Sequence, residues 1–387
     1  MNPHLSFGID QLIQHSSPAQ YGRIGLVTND AAYTTMGQQS RLALLEADFS
    51  IQKLFSPEHG LSAKGPDGAF IPNGVDSLTA LPIVSLYGEK LAPDSTDLTD
   101  IDTVFFDIPD IGLRYYTYLW TLTHVLEACS AHQKKLVILD RPNPLSGSIE
   151  GPMLEEKNCS SFIGRWNIPV RHGCTLGELA MFFNAEKNLQ VDLQVVSCKG
   201  WNRTLILRDY GMPFQPTSPA IVSWECMLAY PITAYLEATN LSDGRGTNVP
   251  FAQIGAPWLQ GFDLSKLQGL TEDVVFENCQ FVPSEGKYMN EVCYGIKIRV
   301  KKAQQYPSTL LGLCLIKLIK SQYSTYFSWK PYPTRANPTG LRHLDLLTGI
   351  YQSERLFELT WVDFFTQIKD FTRITEWQRK VSPYLLY

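Results

Sequence analysis

Between residues 23 and 197, short apolar runs alternate with helical patterns, and that alternation admits few folds. The runs 23–29, 51–55, 81–86, 103–108, 135–139 and 192–197 read as strands. The segments 38–47, 116–132 and 176–186 read as helices, the last with Thr175 as its N-cap and Glu178 at the capping-box position. Strands separated by helices cross over in parallel. The expected fold is therefore α/β, a Rossmann-like, mostly parallel sheet with helices on both faces. Open sheets of this kind bind ligands beyond the carboxyl ends of their strands.

The polar residues gather at those ends. Phe55-Ser56-Pro57-Glu58-His59-Gly60 sets Glu58 and His59 on a turn just past a strand. Pro57 fixes one backbone dihedral there, and Gly60 tolerates positive φ. The segment 56–79 that follows is rich in Gly, Pro and Asp and lacks periodicity. Loops of that length are usually functional or disordered. The strand 103–108 runs into Asp107 and Asp110, and the strand 135–139 into Asp140-Arg141-Pro142-Asn143. A single aspartate at a strand end is more often a helix cap or loop anchor. Three such loops, together with Glu58-His59, favour a polar pocket on one edge of the sheet.

Several function classes are excluded. The first strand ends in Thr28-Asn29-Asp30, with no Gly-x-Gly-x-x-Gly after it, and the chain has no Walker loop, so nucleotide binding does not follow from the sheet. A net charge of −5 without a basic cluster argues against a nucleic-acid surface. No run approaches the roughly 20 apolar residues of a membrane span. Residues 1–8 lack the basic and apolar regions of a signal peptide. A signal already removed would leave the same appearance, so the compartment is periplasmic or secreted in that case and cytoplasmic otherwise. The eight cysteines form no Cys-x-x-Cys pair and read as reduced core residues. No metal motif is present, and no cofactor is expected.

After about residue 220 the rhythm changes, with Thr217-Ser218-Pro219 as the junction. The expected division is a Rossmann-like catalytic domain over 1–220 and a smaller α+β domain over 221–387 that closes the cleft. Helices are expected over 223–235, 308–321, 340–351 and 361–380, and a strand over 294–300. In the polar loop 237–248, Gly244 and Gly246 flank Arg245 and let the backbone present its guanidinium in a tight bend. Arginine suits bidentate carboxylate recognition. A loop arginine paired with a local acid is an equal reading.

Laid in order, the motifs are Gly25-Leu26-Val27-Thr28-Asn29, Pro57-Glu58-His59-Gly60, Leu86-Tyr87-Gly88 and Phe106-Asp107-Ile108-Pro109-Asp110-Ile111-Gly112. Arg114-Tyr115-Tyr116-Thr117-Tyr118, Leu139-Asp140-Arg141-Pro142-Asn143-Pro144 and Glu150-Gly151-Pro152 follow. Pro169-Val170-Arg171-His172-Gly173, Glu237-Ala238-Thr239-Asn240 and Ser242-Asp243-Gly244-Arg245-Gly246-Thr247 complete the series. This order resembles the NamZ-type exo-β-N-acetylmuramidases, a bacterial family formerly without a function. The resemblance covers nearly the whole chain, with the C-terminal hundred residues matching less distinctively. It implies a Rossmann-like N-terminal domain, a smaller C-terminal domain and a site in the cleft between them. It also implies release of N-acetylmuramic acid from the non-reducing end of peptidoglycan-derived fragments, in cell-wall turnover and recycling. Many relatives carry an export signal.

Glycoside hydrolysis generally uses two carboxyl groups. Glu58 is the expected acid, with His59 beside it to tune charge or bind sugar. Glu127 is the preferred second carboxylate, with Asp107, Asp110 and Asp140 competing; a helix that starts at the ligand edge points its first turn at the pocket, which weakens Glu127. Muramic acid carries a lactyl carboxylate, so selectivity calls for a cation: Arg114, Arg141, Arg171 with His172, or Arg245. Asn29, Tyr116, Asn143 and Asn240 suit hydroxyls or the N-acetyl group, and Asp140 joins this substrate-binding set. The loop 56–79 could wall off one end of an exo-acting pocket. The sequence leaves two alternatives: a non-catalytic cell-wall sugar-binding protein, and a hydrolase or transferase of another acidic small molecule. Sequence sets neither the anomeric outcome nor the oligomeric state.

Overall fold

The computed structural model describes residues 5–304 and 306–387. Residues 1–4, on which the reading of the leader partly rests, lie outside them.

Seven strands form the main sheet: β1 Ile24–Thr28, β2 Ile51–Ser56, β3 Gly74–Val75, β4 Pro82–Ser85, β5 Thr103–Asp107, β6 Lys135–Leu139 and, after the β7 Glu150–Met153 and β8 Pro169–Arg171 hairpin, β9 Leu193–Val196. Their order is β3-β4-β2-β1-β5-β6-β9, and every pairing except β3 with β4 is parallel. The short antiparallel edge belongs to the long loop and is not readable as a periodic run. Strands β1 and β5 are buried along their whole length, as parallel strands covered on both faces must be. The helices Gly8–His15, Ser40–Glu46, Tyr118–Ala131 and Leu176–Glu186 cover the faces. Thr175 caps the last of these in a reciprocal capping box with Glu178. From β1 the chain builds outward through β2 and β4, then returns to the other side of β1 as β5, β6 and β9. The switch point thus lies between Thr28 and Asp107, which pair in register.

The second half carries a three-stranded antiparallel sheet, β10 Gln253–Ala256, β11 Val274–Phe281 and β12 Cys293–Val300, in the order β10-β12-β11. Helices Trp224–Thr233 and Ser308–Gln322 pack together beside it. Sequence periodicity finds β12 but not β10 or β11. The expected helix over 340–351 shortens to His343–Thr348, ended by Gly349 in the left-handed conformation. The expected helix over 361–380 divides into Trp361–Thr372 and Glu376–Val381, because Arg373 is extended. The β-branched Thr372, Ile374 and Thr375 flank the break, and Ile374 packs on the core.

The halves are tied by buried polar contacts. Glu150 on β7 accepts bonds from Ser308 Oγ and from the backbone N–H of Thr309 and Leu310, capping the helix Ser308–Gln322. The C-terminal segment returns to the first half. Trp377 donates to His172 O at 2.9 Å, and Tyr387 to Asp140 Oδ2 at 2.6 Å. All eight cysteines are free thiols, and all but the half-buried Cys279 are buried. Among the described residues no helix is long and apolar enough to cross a membrane.

Candidate active site

The loops that follow β2, β4 and β5 converge on a cavity of about 810 Å³, roofed by residues from 218–251 and 332–347. Glu58 lies in its wall, buried, with both carboxyl oxygens engaged. Oε1 accepts from Gly68 N at 2.9 Å, and Oε2 accepts from Thr117 Oγ1 at 2.6 Å. Gly68 belongs to the long loop 56–79, and Thr117 immediately precedes the helix Tyr118–Ala131. The carboxyl group is therefore held between that loop and the start of the helix. The neighbouring Tyr87 phenol is pushed above its ordinary range by burial and by the Glu58 charge.

His59 takes the left-handed conformation at φ 66°. For a residue with a Cβ this costs about 1–2 kcal/mol. The bond between His59 Nδ1 and Gly65 O, at 2.8 Å, holds the turn. Because a carbonyl only accepts, Nδ1 carries the proton, and Nε2 faces Asp67 at 3.9 Å.

Opposite this turn is a charge cluster. Arg245 lines the cavity and is ion-paired with Asp67 at 2.6 Å, with Glu237 at 2.9 Å and with Asp243, while its guanidinium lies 4.7 Å from the centre of the Phe251 ring. Its flanking glycines have φ of 79° and 78°, and a Cβ on Gly244 would come within 2.3 Å of Gln253 O. The other Glu237 oxygen meets His343 Nε2 at 3.0 Å, and the His343 ring stacks on Tyr332 with centroids 4.6 Å apart. Burial pushes the Glu237 carboxyl up, but Arg245 and His343 outweigh it and hold the group down to about 2. Burial likewise disfavours the Arg245 charge, and the surrounding carboxylates override it, raising Arg245 well above its ordinary value.

A second cavity of about 690 Å³ lies on the same edge, beyond β1, β5 and β6, with a largely apolar wall that includes Phe7, Pro142, Met212 and Trp224. Asp110 lines it. Its Oδ2 accepts from Gly112 N at 2.8 Å, and among the described residues its buried Oδ1 meets no hydrogen-bond partner. Burial pushes this carboxyl up to about 7. His172 Nε2 stands 3.8 Å from Asp110 Oδ2, and burial lowers that imidazole to about 3. The Tyr116 hydroxyl, bonded to Thr217 Oγ1 at 2.7 Å, stands between the two cavities: Tyr116 lines the first and Thr217 the second.

Of the residues singled out in the sequence, Glu58, His59, Tyr116 and Arg245 line the first cavity. The others do not, and each has a visible task elsewhere. Arg114 donates to the carbonyls of Pro152, Ile168 and Leu347, and Arg171 to those of Tyr306 and Leu145. Arg141 pairs with Asp107 at 2.6 Å, both buried, at the border of the second cavity. Asp140 accepts from Thr175 Oγ1, Gly177 N and Tyr387. Asn143 braces its loop through Cys174 O and Leu145 N, Asn240 through Tyr326 O and Ser328 N, and Asn29 accepts from Ala31 N. Glu127 is half-exposed on the helix and pairs with Arg165 at 2.9 Å. His172 and Asp110 belong with the second cavity. Of the expected cations, only Arg245 lines the first cavity, and it is already paired with acids of its own chain.

The sequence alone does not single out Asp67, Tyr87, Thr117, Glu237, Tyr332 or His343. Tyr87 and Glu237 lie inside the motifs, Asp67 inside the long loop, and Thr117 at a helix start. His343 and Tyr332 had no local signal.

Two family models meet end to end on the chain: residues 24–225 match the N-terminal and residues 228–387 the C-terminal part of the exo-beta-N-acetylmuramidase NamZ. The peptidoglycan beta-N-acetylmuramidase NamZ of Bacillus subtilis (strain 168) is 37% identical over 332 residues, 84% of this chain and 80% of that protein. Two crystal structures of DUF1343 family proteins from Bacteroides fragilis are similar throughout. BF0371 has a TM-score of 0.84 at 28% identity, covering 100% of both chains, and BF0379 has 0.74 at 25%, covering 99% of both. The chain belongs to the NamZ exo-β-N-acetylmuramidase family.

Proposed function

We propose that the protein is an exo-acting glycoside hydrolase that releases N-acetylmuramic acid from the non-reducing end of peptidoglycan-derived fragments during cell-wall turnover. The observation that carries this reading is Glu58, a buried carboxyl group positioned by Thr117 and Gly68 in a cavity that holds further carboxylates. Glu58 is the group that protonates the leaving glycosidic oxygen. As that bond breaks, positive charge develops on the sugar ring. Glu237, kept ionised by Arg245 and His343, and Asp67 place negative charge in the same cavity, fixed before the reaction begins. Asp67 and Glu237 replace Glu127, Asp107 and Asp110 as candidates for the second carboxylate, because they share the cavity with Glu58. The cleft lies where the 221–387 part covers the 1–220 part, and the loop 56–79 contributes a wall through Asp67 and Gly68.

The test uses chromogenic β-glycosides of N-acetylmuramic acid and N-acetylglucosamine. Release from the muramic substrate alone is the expected result. Release from neither by folded protein overturns the reading in favour of a binding protein, and release from the glucosamine compound alone removes the muramic specificity.

A further inference from the structure

A substrate with a lactyl carboxylate brings an anion into a cavity whose walls already present Glu58, Asp67 and Glu237. Arg245 is paired with Asp67, Glu237 and Asp243, and His343 with Glu237. Lys287, behind the cluster, donates to the carbonyls of Leu236 and Thr239 at 3.1 and 2.7 Å. The interior therefore disfavours an added anion, and among the described residues its cations are committed to the protein's own acceptors. An acidic arm has to be met at the rim.

One cation stands there. Arg335 is exposed, between Thr334 and Ala336, which both line the cavity. Among the described residues its guanidinium is ion-paired with no acid, and it lies 4.8 Å from the centre of the half-exposed Phe70 ring. Phe70 comes from the 56–79 loop, so an aromatic face orients the guanidinium without neutralising it. The backbone is fixed as well. Arg335 N donates to Gly68 O at 3.0 Å, and Gly68 N donates to Glu58 Oε1 at 2.9 Å. Two hydrogen bonds thus set the distance between this arginine's backbone and the reacting carboxyl group. The Arg335 charge also acts on the Tyr87 phenol, which lies in the cavity wall.

We propose that Arg335 binds the lactyl carboxylate of the substrate at the cavity rim and sets the preference for acidic over neutral amino sugars. The proposal rests on the muramidase reading above. It replaces the four arginines expected from sequence with one that is held in place yet unpaired. A guanidinium that forks two N–H groups toward a carboxylate also selects for the arm's planar geometry, which an ammonium would not.

The experiment compares the wild type, Arg335→Gln and Arg335→Lys on two chromogenic β-glycosides: N-acetylmuramic acid and the same sugar with its lactyl carboxylate converted to a primary amide. The expected result is a wild-type preference for the acid that falls roughly 10- to 100-fold in Arg335→Gln, mostly through KM, with Arg335→Lys between. An unchanged acid-to-amide ratio in Arg335→Gln overturns the proposal. Wild type that turns over neither compound overturns the muramidase reading instead. In that case calorimetry with free N-acetylmuramic acid and its amide decides separately. An acid preference lost in Arg335→Gln upholds the role of Arg335, and equal affinities for acid and amide in the wild type refute it.

Discussion

The cavity beyond β2 and β4 and the cavity beyond β1, β5 and β6 open on the same edge of one sheet, and each holds a buried carboxyl group. In the first, Glu58 has a donor on each oxygen, one from a loop and one from a helix start. In the second, Asp110 has a donor on one oxygen and, among the described residues, none on the other, and burial pushes it up to about 7. The switch point of the sheet falls at the second cavity, where an open α/β sheet alone would lead one to look for ligand. The charged groups instead assemble at the first, because the second half of the chain brings Glu237, Arg245 and His343 over it. Which end of the edge gathers the charged groups is set by what covers it.

The largest effect that tests this contrast is on turnover. Glu58→Gln removes the transferable proton and should lower kcat at least about 100-fold, since a positioned acid or base contributes roughly 10²–10⁴. Asp110→Asn should stay within about threefold of wild type. Initial rates of chromophore release measure both, and a reversed order would move the chemistry to the switch point.

Next comes the stability of the first cavity's charge cluster. Glu237→Gln removes the charge that Arg245 and His343 share and turns an amide N–H toward one of them, while Arg245 keeps Asp67 and Asp243. Breaking a buried pair outright costs about 3–5 kcal/mol, so denaturant unfolding of the two proteins at neutral pH should show a loss up to that order. The pH dependence fixes the cause. The folded value of Glu237 is about 2 against an ordinary 4.5. Its contribution is therefore present above the unfolded value and lost as pH falls toward the folded one. Wild type should lose stability over that acid window more steeply than Glu237→Gln.

The hydroxyl of Thr117 offers a finer test of how Glu58 is held. Thr117→Val removes the donor to Oε2 at nearly constant volume. Such a hydrogen bond is worth about 0.5–1.5 kcal/mol net, so kcat should fall roughly 2- to 10-fold with little change in KM. Thr117→Ser should restore most of it. Loss of KM with kcat preserved would mean that Thr117 binds sugar instead.

Asp110 provides the mirror of the Glu237 prediction. Its folded value is raised from 3.8 to about 7. The stability linked to its proton is present at acid pH and lost as pH rises through the folded value. Asp110→Asn should therefore gain on wild type at pH 8, by on the order of 1–3 kcal/mol for a buried oxygen left without a donor, and should show no gain near pH 4. Parallel unfolding curves at the two pH values measure it.

Fold and site differ in how far they could be read from sequence. Strands β1, β5 and β6 are five-residue runs with apolar centres, as covered parallel strands require. Thr175 and Glu178 announce their helix because a capping box is local. β10 is short and carries Gly255, and β11 is buried only at alternate positions near its start, so neither leaves a clear period. In the site, Glu58, His59 and Arg245 were legible because turn chemistry displays them. The role of Arg114 and Arg171 was not, since an arginine bound to backbone carbonyls has no complementary acid to betray it. Glu237, Asp67 and His343 meet across separations of more than a hundred residues, which no local pattern encodes.

The smallest effect concerns Glu127, the second carboxylate favoured by its place after the Arg-Tyr-Tyr-Thr-Tyr segment. The helix beginning at Tyr118 turns its start toward Glu58 through Thr117, so a residue in its third turn is carried away from the cavity. There Glu127 meets Arg165, and the arginine's other nitrogen is held by Thr123 at 2.6 Å. The Arg165 guanidinium also lies 4.9 Å from the centre of the Trp166 ring, so its position does not depend on Glu127 alone. Glu127→Gln keeps a hydrogen-bond acceptor for the same nitrogen and removes only a half-exposed charge. The loss of stability should be no more than about 1 kcal/mol, and smaller still in high salt. Turnover should match wild type within about twofold. A loss of kcat comparable to that of Glu58→Gln would place the second carboxylate on this helix after all and require it to rotate in the bound state.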